Sequence, residues 1–456
     1  MDRTTALLAA ARFTSAIARL CLGPLLPMLS LSLGFSEDSK PILLSAYSSG
    51  YLLTQIGGGY LADRHGYAKI VSVTVGLSSL ILFYVSSFAT TSLAWIRAFF
   101  CLGLVAGPLF PAGSAAISAN VQADRRAASF AIIDASASAG TTVASLAPIV
   151  ADYMGWRFIY RLTGICLLLV ALGVISSVGS NNAPKKMASL PSSSALLSQT
   201  SHHFKDDKNS SKSRMMLMIN SVLLPVAVCA YLCHCCDNFT KYSINSWAAT
   251  MLVNRHKASP AVVSSILAGQ EAVGVASKLL IGTMVSFQSN TMTSSSLFVK
   301  RGTISAFGFV LQGIALWYAF QAANPYQAGF FFIVSSIAAG THSVGFRPVY
   351  LEASPPHAGS ISGFGNSIAS CASVLGPMVI GSSVYQTIDV KQINPFRRGL
   401  GFLHPRKESL TIRTEDWSKV AFYMICTNVL GAMAALVIGY SSMRRRQEKQ
   451  RKEYTI

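Results

Sequence analysis

The chain has 456 residues, of which 51% are hydrophobic and 12% charged, and its formal net charge is +19. A soluble domain carries about twice that share of charge, so an ordinary soluble globular protein is excluded. A net charge this basic suggests nucleic acid on a soluble protein. Here the basic residues lie in loops and in the tail Arg444, Arg445, Arg446, Lys449, Arg451 and Lys452. Directly after an apolar segment, such a tail is an orientation signal and a contact for anionic lipid, so no nucleic-acid partner is expected.

The apolar residues come in long blocks. Ile70–Phe88, Ile159–Val178 and Val420–Tyr440 are almost free of charge. Each runs for about 20 residues, enough helix to cross a hydrocarbon core of roughly 30 Å. The amino-terminal stretch MDRTTALLAAARF has the charge pattern of a leader. Its apolar run continues to about Gly34 with no small-residue cleavage site, so it is taken as the first crossing. Twelve spans follow in chain order near 6–33, 42–62, 69–89, 92–119, 127–152, 157–178, 217–252, 260–286, 298–320, 326–350, 358–387 and 418–442. The seventh is too long for one straight crossing, which implies tilt or a start outside the bilayer.

Between the sixth and seventh spans the composition turns to Ser, Lys and Asn, which cannot bury a core. The expected organisation is a six-helix bundle over 1–178, a flexible polar cytoplasmic linker over 179–216, a second six-helix bundle over 217–442 and a basic cytoplasmic tail over 443–456. With both termini cytoplasmic, the inner loops hold Arg64, Lys69, Arg125, Arg126, Lys300 and Arg301. The loop 388–417 opposes this orientation, because it carries Lys391, Arg397, Arg398, Arg406, Lys407 and Arg413.

Nine cysteines are present, most of them within apolar segments, so no secreted disulfide framework is indicated. Cys229, Cys233 and Cys236 share a helix face beside His234 and Cys235. A soft-metal site and small packing residues both fit that spacing, and packing is the favoured reading.

Between the second and third spans stands Gly59-Tyr-Leu-Ala-Asp63-Arg64-His-Gly66, followed by Lys69. It matches the G-x-x-x-D-R-x-G loop of the major facilitator superfamily, except that Tyr67 and Ala68 stand where that family usually has basic residues. An Asp–Arg pair at this place can hold neighbouring helix ends in one conformation and release them in another. Gly59, Asp63, Arg64, Gly66 and, in the later inner loop, Arg125 are therefore the candidate conformational latch.

Several further segments narrow the resemblance. Ser45-Ala-Tyr47-Ser-Ser-Gly50-Tyr51-Leu-Leu-Thr54-Gln55, Asp124-Arg125-Arg126-Ala127, Gly155-Trp156-Arg157-Phe-Ile-Tyr160 and Leu351-Glu352-Ala-Ser-Pro355-Pro-His-Ala358-Gly359 are similar to segments of the anion:cation symporters. That family includes sialin, vesicular glutamate transporters and plastid phosphate transporters. Asn238, Phe239, Tyr242 and Trp247 fit its seventh span, and Gly363 and Asn366 its eleventh. The resemblance implies an all-α fold of 12 transmembrane helices in two six-helix bundles around a central cavity. It implies secondary active transport of a small organic anion or inorganic phosphate, coupled to H+ or Na+.

Charged residues inside spans are expensive, so each is a functional candidate. Arg19 lies near mid-span, within about a position of the family's arginine. Snorkelling to an interface and binding a carboxylate or phosphate are both open to it, and its distance from either end favours substrate. The resemblance adds Tyr47, Tyr242 and Asn366 as substrate-binding residues. Arg97 opens a segment resembling the family's R-x-x-x-G-x-x-E-G, whose glutamate couples protons. Here Leu104 or Ala106 takes that place, depending on alignment. Substitute coupling carboxylates are Asp134, preferred because its span has no basic neighbour, then Asp237 and Glu271. Asp237 and Lys241 are four apart, so a structural ion pair along the seventh span is expected. Arg347, beside Pro348, reads as interfacial, and His342 as a packing donor.

No G-x-x-x-x-G-K-[ST] occurs, so ATP-driven transport is not expected. No catalytic constellation, metal or cofactor site is indicated, and the protein is expected not to be an enzyme. The expected partners are a small-molecule substrate, a coupling ion and the lipid of an unspecified membrane. Two other readings remain at this point: a facilitator for a neutral or cationic solute, and a non-transporting receptor of the same fold.

Overall fold

Proline decides where these helices break. It has no N–H for the carbonyl four residues back, so a helix that meets one must bend, break or find another donor. The computed structural model describes residues 3–121, 126–179, 216, 219–289, 294–354, 358–391 and 409–454. Among them, four crossings consist of two helices each: Arg3–Leu20 with Leu22–Leu33, Ser92–Ala106 with Leu109–Asn120, Arg126–Ser145 with Ala147–Met154, and Pro325–Phe346 with Val349–Glu352. Every junction lies at or just ahead of a proline: Pro24, Pro108, Pro148 and Pro348. Two of the freed carbonyls take donors from other spans. Thr54 Oγ1 donates to Leu104 O at 2.7 Å, and Arg301 Nη1 donates to Val344 O at 3.2 Å.

The remaining crossings are single helices: Ser39–His65, Tyr67–Ser87, Trp156–Gly179, Pro225–His256, Pro260–Ser289, Ser294–Gln321, Ala358–Val384 and Trp417–Tyr454. The twelve crossings follow the order expected from the sequence. Eight hold an 18-residue window apolar enough to cross a bilayer by composition alone. The four that fall short are 39–65, 126–154, 225–256 and 260–289. Each of them contributes residues to the central cavity described below.

A single residue, Gly66, joins the second and third spans, and its φ of 84° is a conformation that a side chain disfavours. The sixth span starts by packing Trp156 and Tyr160 edge-on against the fully buried Trp95, with ring centroids 5.5 and 5.4 Å away. The Gly155-Trp156-Arg157-Phe-Ile-Tyr160 segment is thus a packing device.

The structure adds detail at three places. The loop 388–417 contains two antiparallel strands, Tyr385–Lys391 and Ser409–Glu415, paired with Ile388 opposite Ile412. The run Thr387-Ile388-Asp389-Val390 alternates β-branched and polar residues, which suits a strand, and the eleventh helix ends at Val384 rather than near 387. The tail continues the last helix to Tyr454. The seventh helix begins at Pro225, a favoured first position, and runs 32 residues to His256. The linker proposed over 179–216 lies almost wholly outside the described residues.

The first and second halves interlock on the face away from the N-terminus. A Cβ on Gly23 would overlap Asn245 O, so the first and seventh spans touch backbone to backbone there. Ile149 N donates to Ser264 Oγ at 3.0 Å and Ser45 Oγ donates to Val374 O at 2.8 Å. Within the first half, the second and fourth spans cross with Gly50 against Phe100 O and Gly103 against Tyr47 O. Gly103→Ala is expected to cost about 1–3 kcal/mol through overpacking at this crossing. Gly57→Ala, where a Cβ meets nothing within 4 Å, is the neutral comparison. Thermal unfolding of the detergent-purified variants measures both.

Candidate functional site

The spans alternate in direction, so residues early in odd-numbered spans and late in even-numbered ones lie near the face that holds the N-terminus. A cavity of about 610 Å³ runs between the halves from mid-bundle toward that face. Its deeper wall includes Arg19, Tyr47, Tyr51, Lys241 and Tyr242, and Asn366 lines it nearer the open face. Its outer wall includes Arg12, Phe110, Lys278, Arg301 and Arg347. Among the described residues, six lining side chains are cationic and none is a carboxylate.

The cations are held in two different ways. Arg301 Nη2 donates to Glu352 Oε1 at 2.9 Å, and Arg347 Nη2 donates to Asp237 Oδ2 at 2.9 Å. These pairs fix the broken tenth span to the ninth and seventh. Asp237 Oδ1 also lies 4.0 Å from His342 Nε2, which sits 3.0 Å from Gln312 Oε1. The His342 ring stacks on Phe309 at 4.0 Å. By contrast, Arg12, Arg19, Lys241 and Lys278 have no carboxylate within 4.0 Å among the described residues. Arg19 lies between two rings, 5.3 Å from Tyr47 and 5.4 Å from Tyr242. It thereby bridges the first and seventh spans, one from each half. Arg12 lies 5.6 Å from the Phe110 ring.

The sequence candidates divide accordingly. Arg19, Tyr47, Tyr242 and Asn366 meet in one cavity. Asp237 does not pair with Lys241. The guanidinium of Arg347, 110 residues away, takes the carboxylate, and Lys241 faces the cavity. Arg347 is therefore a cavity residue and not merely interfacial. His342 is fully buried in a stacked, hydrogen-bonded packing role. Glu271 does not line the cavity. Arg97 is exposed on the outer surface, in a groove with Leu80, Tyr84 and Cys101. Cys233 packs the seventh span on the twelfth, its Sγ 3.6 Å from Gly431 O. Of the latch, Gly66 forms the turn and Arg64 is exposed, while Arg125, the surroundings of Gly59 and the Asp63 side chain lie outside what is described, as does the side chain of the coupling candidate Asp134.

Arg12, Lys241, Lys278 and Arg301 carry charge inside the spans, but nothing in the sequence assigned them to the cavity wall, where the structure places them. The role of Arg301 depends on a carbonyl that Pro348 frees in another span.

A family model described as Major Facilitator Superfamily matches residues 8–377. The voltage-gated purine nucleotide uniporter of Mus musculus is 29% identical over 150 residues, 31% of this chain and 33% of that protein. The chain thus aligns with only about a third of that relative's length. Sialin of Ovis aries is 24% identical over 76% of this chain and 70% of its own. The Arabidopsis thaliana protein named "Probable anion transporter 3, chloroplastic" is 23% identical over 76% and 68%. Among solved structures, a bacterial homologue of the human lysosomal transporter Spinster, inward-facing and occupied, superposes with a TM-score of 0.66 at 15% identity, covering 96% of each chain. The nucleoside transporter NupG gives 0.62 at 14%, covering 95% and 99%. At such identities these two show the fold alone.

The Asp237 side chain is 8% exposed and that of Arg347 46%. Arg347→Ala strands a buried carboxylate and is expected to destabilise by about 3 kcal/mol, the low end of the usual range because the arginine is half in solvent. Adding Asp237→Ala should recover most of that loss. A double-mutant cycle on thermal unfolding in detergent reads the difference.

Proposed function

The chain belongs to the major facilitator superfamily of membrane transporters, and from that premise we propose that it carries a small organic anion or inorganic phosphate by alternating access. One observation carries the reading: among the described residues, the cavity is lined by six cations and no carboxylate. A charge buried in a span is costly without a counter-charge, and four of these cations have no carboxylate within 4.0 Å among the described residues. An anion supplies the missing charge, and a cationic solute would add to the repulsion. The cavity's volume falls in the range of small-molecule sites, roughly 300–1,000 Å³. The names of two relatives support the same class, one a purine nucleotide uniporter and one an anion transporter.

Arg19 is the central substrate contact in this reading. The rings of Tyr47 and Tyr242 hold its fork from both halves, so an anion bound there touches both moving parts. Transport is coupled to H+ or Na+. With Leu104 and Ala106 in place of the family's fourth-span glutamate, Asp237 is the described carboxylate best placed to couple, because its partner Arg347 opens on the cavity.

Arg19→Gln should lower anion uptake into proteoliposomes by roughly tenfold to a hundredfold, the worth of one charged hydrogen-bond partner. The assay measures initial rates for phosphate, carboxylates and nucleotides under an imposed pH gradient and then a sodium gradient. Uptake restricted to neutral or cationic solutes, indifferent to Arg19, would overturn the proposal.

A further inference from the structure

We propose that the cavity contains two anion subsites along the first span, a deep one at Arg19 and an outer one at Arg12 against Phe110, so that its ligand is an elongated anion with charge at both ends. The inference rests on the anionic reading above and adds the shape of the ligand.

Arg12 and Arg19 belong to one unbroken helix, Arg3–Leu20. Seven residues advance a helix by about 10.5 Å and return to within about 20° of the same face. Both side chains therefore line the same cavity about a nanometre apart. Each rests on aromatic carbon, Arg12 on Phe110 and Arg19 on Tyr47 and Tyr242. Each also buries its Nε with no hydrogen-bond acceptor; Arg301 does so too, but its other guanidinium nitrogens are already committed to Val344 O and Glu352. Buried donors are normally satisfied, so a repeated exception marks a place for an acceptor the protein does not supply. A single such nitrogen would indicate one anionic group. Two of them, one heptad apart on one wall, indicate two.

The opposite wall supplies a cation at each level. Lys241 lies as many residues into Pro225–His256 as Arg19 lies into Arg3–Leu20. Lys278 lies nearer the open face, late in Pro260–Ser289. Neither has a carboxylate partner within 4.0 Å among the described residues. The arrangement is two charged rungs rather than one pooled field. It favours a ligand whose two anionic groups are separated over one whose charge is concentrated.

A series at constant charge separates rungs from a general positive field. The α,ω-dicarboxylates from succinate to sebacate are titrated into the detergent-purified protein by calorimetry, each against the monocarboxylate of equal chain length. Pyrophosphate serves as a compact anion. With two subsites, the dicarboxylate-to-monocarboxylate affinity ratio rises with length to a maximum at least tenfold above its value for succinate, then falls. Arg12→Gln flattens that curve, and Arg12→Lys keeps the maximum at reduced height. Should Arg12→Gln fail to fold, Phe110→Leu should lower the maximum instead. A wild-type ratio independent of length, an Arg12→Gln maximum equal to wild type, or binding of pyrophosphate with no dicarboxylate would overturn the two-subsite proposal and leave the anionic reading standing. Failure of the wild type to bind any of these anions would overturn the anionic reading and this inference with it.

Discussion

Uncompensated positive charge inside the bundle is the constraint around which the rest of the structure is arranged. Arg12, Arg19, Lys241 and Lys278 face one cavity with no carboxylate within 4.0 Å among the described residues. Ion hydration lost on burial is not recovered by packing, so such charges persist only where water or a ligand reaches them. The fold meets that condition locally. Aromatic faces take the guanidinium groups of Arg12 and Arg19. The other two arginines, Arg301 and Arg347, have carboxylates behind them in the second half of the chain. The excess of charge is therefore confined to the cavity itself. The four spans too polar to qualify as crossings by composition each contribute residues to this cavity.

Helix breaks connect that site to the scaffold. Each proline that interrupts a span frees a carbonyl, and where the donor comes from another span the break becomes a tertiary contact. Thr54 answers Pro108 in this way, tying the second span to the fourth. Arg301 answers Pro348 while also holding Glu352, so one guanidinium bridges both pieces of the tenth span. The same side chain lines the cavity. Its charge is thus committed to structure in a way that the charges of Arg12 and Arg19 are not, and equal appearance in a list of cavity cations hides a difference in availability.

Much of this was legible in sequence, and what was not has a physical explanation. The crossings were readable because twenty apolar residues have few other uses. Arg19 was readable because charge at mid-span is costly, and Gly66 because its motif is local. Asp237 was misassigned because a helix rule sees only neighbours at four residues, whereas Arg347 arrives from 110 residues away. The strands Tyr385–Lys391 and Ser409–Glu415 were not legible because each is short and its partner lies beyond a long intervening loop, with no local turn signal joining them. Membership of the cavity wall was hardest to read, since Lys278 and Glu271 share one helix and only the first faces inward.

The asymmetry between the two ends of the cavity bears on how such a protein can change shape under the proposed function. The closed face is sealed by small residues and single hydrogen bonds, Gly23 at Asn245 and Ile149 to Ser264, contacts that separate without exposing charge. The open face is lined by Arg12 on one half and by Lys278, Arg301 and Arg347 on the other. Closing that face while the cavity is empty brings like charges together as water leaves, and the repulsion grows as both separation and dielectric fall. An anion between the halves reverses the sign of that term. The same charge distribution that selects the ligand would then also make closure depend on its presence, with no separate sensing element required.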